Sequence, residues 1–368
     1  MNLPQLGWRP FFEVHFERYA GQGLAPARVV LEQRERYAVL GDDGELAAEV
    51  AGKMRHESRS RADFPTVGDW VAISPRPNEG QATIHARLPR ASSFSRKAVL
   101  SGGMPDTGGK TDEQVLAANI DTVFLVSGLD SDFNVRRIER YLSVAWDSGA
   151  TPVIVLNKAD LCDDVQTRFD EVASAAVGVS IHAVSAIGRA GLEELRQYLT
   201  AGQTAAFLGS SGVGKSTIIN SLLGEERLET REVREHDGRG RHTTTHRQMI
   251  FLKEGGIVID TPGMREIQMW SDEDGLSRTF GDVEHLSARC RFRDCRHQNE
   301  PGCAVRQALE EGELDARRFD NYLKMQKELA HLARRRNKKA EREVCRAFDK
   351  KIRRYHQEMK KLRDKGLA

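Results

Sequence analysis

Gly209-Ser210-Ser211-Gly212-Val213-Gly214-Lys215-Ser216 satisfies G-x-x-x-x-G-K-[ST], and its flanks supply the context that the pattern requires. Ala205–Leu208 ahead of it reads as a buried strand, and the residues from Lys215 onward read as a helix. The glycines let backbone N–H groups curl around phosphate oxygens, and the helix turns its positive dipole end toward them. Lys215 then reaches the β- and γ-phosphates and Ser216 ligates Mg²⁺, with Thr217 beside it in the phosphate-binding set. A chance glycine-rich turn is the bland alternative. The motif names a nucleotide without naming its base.

On the amino-terminal side, Asn119 begins an alternation of strands and helices. Thr122–Ser127, Thr151–Leu156, a strand near Ile181–Val184, Ala205–Leu208 and Gly256–Ile259 read as strands. Val135–Ser148, Val165–Ala176 and a stretch near Leu192–Leu199 read as helices. That rhythm predicts a doubly wound α/β sheet with ligands at the carboxyl ends of its strands, where Gly209 and Asp260 both fall.

Base identity comes from Asn157-Lys158-Ala159-Asp160, directly after a strand. The Asp160 carboxylate can accept both N1–H and N2–H of guanine, an arrangement adenine does not offer. Asn157 can brace the loop and reach N7, and the Lys158 stem can lie over the base. Alone the tetrapeptide is weak, since solvated loops share it. Ser185 and Ala186 follow the next strand, where a backbone N–H could meet guanine O6. Asp260-Thr261-Pro262-Gly263 adds a strand-end carboxylate near Mg²⁺ and a glycine N–H for the γ-phosphate. Together these elements predict GTP. Their order is permuted: the guanine loops precede the phosphate loop, whereas Ras-like enzymes have the reverse. A doubly wound domain with neighbouring termini tolerates that rearrangement.

Between the phosphate loop and Asp260 lies Arg239-Gly-Arg-His242-Thr243-Thr244-Thr245-His246. A switch threonine must meet Mg²⁺ and sense the γ-phosphate; three adjacent threonines qualify. A polar surface loop is the alternative. Ras-like enzymes carry a water-orienting glutamine after the glycine of D-x-x-G, where this chain has Met264. His242 is the candidate to hold water instead, against a plain structural histidine.

Upstream, Ala27–Gln33, Arg36–Leu40, Glu45–Val50, Gly68–Ser74 and Gln81–Leu88 are five short strands separated by turn signals. They predict a small closed barrel over about 26–90, an OB-fold or another small barrel used for packing. Ser101–Gly109 reads as a linker or mobile loop. Downstream, Cys290-x4-Cys295-x-His297-x5-Cys303 offers three thiolates and one imidazole, a set suited to tetrahedral structural zinc. Buried free thiols are the alternative. His285 stands apart from this set, and Cys162 and Cys345 stand alone. Arg289, Arg291, Arg293 and Arg296 crowd the cysteine loop and suit phosphate contact.

The permuted order, with a barrel before it and a Cys/His cluster after it, resembles the ribosome small-subunit-dependent GTPase A family. Pro65-Thr-Val-Gly-Asp-Trp-Val71, Ala117-Ala-Asn-Ile-Asp121, the phosphate loop and Gly240-Arg-His-Thr-Thr-Thr245 carry the resemblance, over roughly residues 25 to 340. It implies an OB-fold, a circularly permuted P-loop GTPase domain and a zinc domain. The implied activity is GTP hydrolysis to GDP and phosphate during late maturation of the 30S subunit, with 16S rRNA as partner. It favours Thr244 for Mg²⁺, with Thr245 in reserve, and its cysteine pattern matches all four zinc ligands. The expected division is 1–100 barrel with a linker to 111, 112–278 GTPase, 279–323 zinc domain and 324–368 basic tail. Two readings of other classes remain: a non-catalytic RNA-binding factor that holds GTP, and a large-subunit assembly GTPase.

Length and composition agree with this division. The chain has 368 residues, 39% hydrophobic and 30% charged, which predicts two or three domains at about 100–200 residues each. No apolar run reaches membrane length, and the first residues lack the pattern of a secretory signal, so a cytoplasmic protein with no membrane partner is expected; a monomer is the expected state. The formal charge of +2 is a cancellation. Residues 101–323 hold 25 Lys+Arg against 36 Asp+Glu, while 324–365 hold 17 against 6. In that last segment apolar residues recur at helical spacing, with Lys and Arg opposite them. Such a helix suits RNA, a membrane surface or a coiled-coil partner, or simply packs on its own domain.

Overall fold

In a computed structural model of the chain, the described residues are 1–33, 36–58, 60–99, 111–228, 247–260, 273–331 and 333–334. They divide into two compact units, Met1–Thr279 and Phe280–Ala368.

The first unit begins with a turn at Pro4–Leu6 and helix α1, Pro10–Ala20, which has Pro at its first position, where no intrahelical N–H is needed. Five strands come next: β1 Ala25–Gln33, β2 Arg36–Gly41, β3 Gly44–Val50, β4 Trp70–Arg76 and β5 Gln81–Arg87. Helix α2, Gly52–Glu57, lies between β3 and β4. The strands run β1-β2-β3-β5-β4, and β4 returns to pair with β1, so the sheet closes. The pairing is antiparallel except between β3 and β5. This is the expected five-stranded OB-like barrel. Leu46, Ala48 and Val50 alternate inward along β3 and meet Val29, Val39, Val71 and Ile84 in the barrel core. Phe12 and Phe16 of α1, one helical turn apart, pack with Leu6, Trp70 and Leu88, and Trp8 meets Trp70 edge-on at 4.7 Å. This helix has no clear periodic signature, because Phe11 and Val14 point outward.

Strands β6, Ser93–Val99, and β7, Thr111–Ala118, pair antiparallel on either side of the glycine-rich stretch, which itself lies outside the described residues. The nucleotide-binding half then reads β8 Thr122–Gly128, α3 Val135–Ser148, β9 Thr151–Asn157, α4 Val165–Ala175 and β10 Ser180–Ala183. It continues with α5 Glu193–Arg196, β11 Thr204–Leu208, α6 Lys215–Leu223, β12 Arg247–Phe251, β13 Ile257–Asp260 and α7 Glu273–Thr279. Strands β10-β9-β8-β11-β13 are parallel, as expected. Their core gathers Phe124, Val155, Phe207, Ile218, Ile250 and Val258. Strand β12 is not among the strands expected from the sequence. It lies antiparallel beside β13 and pairs on its other side with β1, so barrel and nucleotide-binding sheet form one run of eleven strands. A register shift between Val29 and Leu31 bends β1 and lets it serve both.

Two of the family-like segments, Pro65–Val71 and Ala117–Asp121, meet at this junction. The Gly68 backbone, with φ of +93°, approaches Ala118 so closely that a Cβ would lie 2.0 Å from its carbonyl oxygen. Asp69 accepts the Thr66 N–H at 2.9 Å and forms a two-pronged pair with Arg90 at 2.7 and 2.8 Å. Asn119 donates to the Gly68 carbonyl at 3.0 Å and accepts from the Ala91 N–H at 2.9 Å. Arg28 of β1 lies wholly buried between them. It donates to the carbonyls of Leu6, Gly68 and Asn119 and to the Thr204 hydroxyl at 2.5, 3.2, 2.8 and 2.9 Å. Burial lowers its pKa to about 10, against the raising influence of Asp121, so it stays charged at neutral pH.

The second unit contains α8, Gly281–Ala288, α9, Ala304–Glu311, and a helix over 316–331. Arg318 grips Asp282 with two hydrogen bonds of 2.7 and 2.8 Å and lies over the Phe280 ring. Half-burial would raise the Asp282 carboxyl, but this grip outweighs it and holds the group below the usual carboxylate range. Among the described residues no helix is long and apolar enough to cross a membrane.

Replacing Arg28 with Met removes its hydrogen bonds to four buried acceptors, of which the Gly68 carbonyl keeps the Asn119 amide. Hydrogen bonds to a charged group contribute about 1.5–3 kcal/mol each, and their loss should lower unfolding stability by about 3 kcal/mol or more. A urea midpoint unchanged at constant slope would show the junction to be held elsewhere.

Candidate nucleotide and metal sites

Strand β11 ends at Leu208, and the chain must turn sharply to start α6 at Lys215. Glycine makes the turn sterically possible. A Cβ on Gly209 would lie 2.3 Å from the Val126 carbonyl oxygen, and Gly212 and Gly214 have φ of +80° and +93°. Ser210 and Ser211 line the loop, Val213 is buried beneath it, and Ser216 and Thr217 lie half-buried in the first turn of α6. The Lys215 ammonium folds inside, donating to the Gly209 and Ser210 carbonyls at 2.7 and 2.5 Å. The loop therefore presents a cation and a helix N-terminus in one concavity.

Asn157, buried at the end of β9, ties this loop to the two guanine segments. Its amide nitrogen donates to the Val213 carbonyl at 2.8 Å, and its amide oxygen accepts the Ala186 N–H at 3.0 Å. A Cβ on Gly214 would lie 2.2 Å from that nitrogen, so glycine is required there for a second reason. Ser185 N–H goes to the Ala190 carbonyl. Thus the Ser185 and Ala186 N–H groups, one of which was expected to face O6, are engaged here in closing the loop and holding Asn157. Asp160 is exposed in the turn Ala159–Leu161, and Lys158 precedes it with a left-handed φ of +66°. That conformation lets Lys158 reach Asp130 at 2.5 Å.

Sequence reasoning missed Asp130 and Arg137. Partial burial raises the Asp130 carboxyl, but the bonds from Lys158 and the Asp132 N–H prevail and hold its pKa low. Arg137, in the first turn of α3, bonds Asp132 at 2.6 Å and the Ser210 hydroxyl at 2.7 Å. The one available signal was a carboxylate just past a strand's carboxyl end, the same signal that marks Asp260. Asp260 stands at the end of β13, paired in register with Gln248. His242, Thr244, Thr245 and Gly263 lie outside the described residues.

In the second unit the donors of Cys290, Cys295, His297 and Cys303 lie within 4.8 Å of one another. Sγ of Cys290 and of Cys303 are 3.9 Å apart, and they lie 3.6 and 3.5 Å from His297 Nδ1. A zinc tetrahedron with bonds of ~2.3 Å to sulfur and ~2.0 Å to nitrogen has edges of about 3.8 and 3.5 Å. Spacing and donor chemistry both fit that ion. Burial holds the His297 pKa down, against Glu300, which favours the neutral ligating form. Its other ring nitrogen faces Ser287 Oγ at 3.4 Å. Cys303 Sγ also accepts the Arg306 N–H at 3.4 Å, capping α9. His285 is exposed on α8 and takes no part in the cluster.

The RsgA GTPase family pattern matches residues 88–270, and a second, 50S ribosome-binding GTPase, matches 204–339. A small ribosomal subunit biogenesis GTPase RsgA from Opitutus terrae is 48% identical over 344 residues, covering 91% of this chain and 92% of its own. The chain belongs to the RsgA GTPase family. It is accordingly a GTP-binding hydrolase, as the permuted motifs predicted. The crystal structure of YjeQ from Thermotoga maritima superposes with a TM-score of 0.60 at 28% identity, covering 83% of this chain and 99% of that one. YloQ, described as a circularly permuted GTPase, shares the fold with a TM-score of 0.58 at 23% identity, covering 84% of this chain and 96% of its own. The OB-like barrel and the permuted P-loop domain are thus those of the RsgA family, and this chain carries the Cys₃His cluster besides.

Asn157→Ala removes the brace between phosphate and guanine loops. Fluorescent GDP titration, run well below the variant's melting temperature, should show affinity at least tenfold weaker, about 1.4 kcal/mol. Gly214→Ala should abolish binding. Wild-type affinity in either variant would contradict this geometry.

Proposed function

We propose that this chain binds the 30S ribosomal subunit through its 16S rRNA and assists late maturation, acting as a cytoplasmic monomer. In this reading the subunit stimulates GTP hydrolysis, and hydrolysis to GDP and phosphate releases the protein. What carries the proposal is likeness along nine-tenths of the chain to small ribosomal subunit biogenesis GTPases, supported in this chain by the Asn157 brace between the phosphate loop and Ala186. The 50S ribosome-binding family match keeps a large-subunit partner as the second reading. That match begins just ahead of the phosphate loop and leaves out the barrel, whereas the small-subunit relatives align with the barrel as well.

In the proposed site, Asn157, Lys158, Asp160, Ser185 and Ala186 hold guanine, and Gly209 to Thr217 hold the phosphates. Ser216, Thr244 and Asp260 would hold Mg²⁺, which supplies charge neutralisation on the β- and γ-phosphates when bound. Lys215 donates to phosphate oxygens, the Gly263 N–H marks the γ-phosphate, and His242 holds the attacking water. Cys290, Cys295, His297 and Cys303 would hold one structural Zn²⁺, leaving no ligand position open for water. The proposed division is barrel 1–100, GTPase domain 112–278, zinc domain 279–323 and basic tail 324–368. The tail's 17 basic against 6 acidic residues favour contact with an RNA backbone.

GTP turnover measured with separate 30S, 50S and 70S particles tests the reading. Stimulation by 30S at least tenfold above the free rate is expected, and equal rates throughout would reject it. Purified protein should contain about one zinc per chain, falling to near zero on Cys303→Ser. Removing 324–368 should flatten the dependence of 30S affinity on salt; an unchanged slope would exclude the tail from RNA contact.

A further inference from the structure

Strand β12 begins at Arg247, three residues after Thr244 in the chain, and it stands between the nucleotide site and the barrel. On one side Gln248 is in register with Asp260; on the other, the same Gln248 is in register with Leu31 of barrel strand β1. One row of backbone pairs therefore joins the barrel to the proposed Mg²⁺ carboxylate across two strand spacings, about 10 Å. Beside that row Arg247 Nη1 donates to Glu32 Oε2 at 3.0 Å, to the Val115 carbonyl of β7 at 3.1 Å and to Thr66 Oγ1 at 3.3 Å. The Thr66 hydroxyl in turn donates to Glu32 Oε2 at 2.6 Å. Both charged side chains are largely buried, 12% and 23% exposed, so solvent screens this pair far less than one on the open surface.

We infer that Glu32 and Arg247 are positioning residues through which the barrel sets the strand that leads out of the proposed switch threonines. The inference rests on the proposed subunit-stimulated function and deepens it. A ligand gripping the barrel acts on β1 and on the loop carrying Thr66. Through Glu32 that force reaches Arg247, and β12 cannot shift relative to β13 without moving the Asp260 row. Nucleotide state and barrel position are then linked, and linkage between two binding events is reciprocal. Among the described residues neither side chain touches a nucleotide-binding group, so each acts through the strand pair.

The test uses the full-length protein and three variants: Glu32→Gln, which keeps the shape and removes the charge, Glu32→Arg, and the swap Glu32→Arg with Arg247→Glu. Glu32→Gln should keep GDP affinity and subunit-free GTPase within twofold of wild type. Its maximal 30S-stimulated rate should fall at least fivefold, while the 30S concentration giving half stimulation stays within twofold. The swap should recover at least half of what Glu32→Arg loses. Full stimulation in Glu32→Gln overturns the inference. So does a loss confined to the half-stimulating concentration, because the pair would then belong to the docking surface. A second readout needs no subunit. Exchanging GDP for a non-hydrolysable GTP analogue should change amide hydrogen exchange over 25–33 in wild type and leave it unchanged in Glu32→Gln. If wild type is not stimulated by 30S, the functional reading fails, and the exchange measurement alone upholds or overturns the joint.

Discussion

A single guanidinium, that of Arg28, determines how the first unit is put together. Removing a cation from water is expensive, and the burden is met by four acceptors drawn from four separate stretches of chain: the turn before α1, the loop before β4, the residue after β7, and the first residue of β11. Its hydrogen bonds thus join the barrel, the amino-terminal turn, the link between β7 and β8 and the amino end of β11 at one point. Asn119 and Asp69 complete the arrangement by fixing the backbone that supplies the Gly68 carbonyl. This cluster lies at the amino ends of β8 and β11, at the opposite end of the sheet from the phosphate loop.

That separation divides the work of the sheet. Its amino ends are cemented to the barrel, while its carboxyl ends carry loops held by fewer and more directional bonds. Asn157 joins the phosphate loop to the loop after β10, Arg137 bonds both Ser210 of the phosphate loop and Asp132 after β8, and Lys158 bonds Asp130 after β8. Permuting the chain leaves these relations intact, because each depends on which strand end a residue follows and not on the order in which the strands were made. Permutation changes the path of the chain beyond β13 instead: it passes from Asp260 through α7 directly into the unit that bears the cysteine cluster.

Much of this was legible in the residues. Steric demand confines the loop after β11 to glycine at set positions, so its pattern survives as spelling; three thiols and an imidazole within fourteen positions are equally explicit. The five barrel strands and five parallel strands emerged from apolar runs bounded by turns. Arg28 was illegible because, within Ala27-Arg-Val-Val-Leu31, a charge in a strand reads as a solvent-facing residue. Asp130 and Arg137 act across 28 and 73 positions of chain, distances at which local pattern carries no signal. Strand β12 was hidden because Arg247 and Gln248 are polar, and it takes its place from the neighbours on its two sides.

Those two neighbours have a consequence for the folding of isolated pieces. A strand at the margin of a sheet exposes a row of unpaired N–H and C=O groups, which invites association with other chains. In this protein the nucleotide-binding sheet continues past β12, because β1 pairs with Arg247 and Gln248 at its start and the barrel beyond closes on itself. The barrel thus acts as an edge guard. Cutting the chain between barrel and GTPase domain would leave β12 a short, uncovered template, so the two halves are bound together by solubility as well as by mechanism.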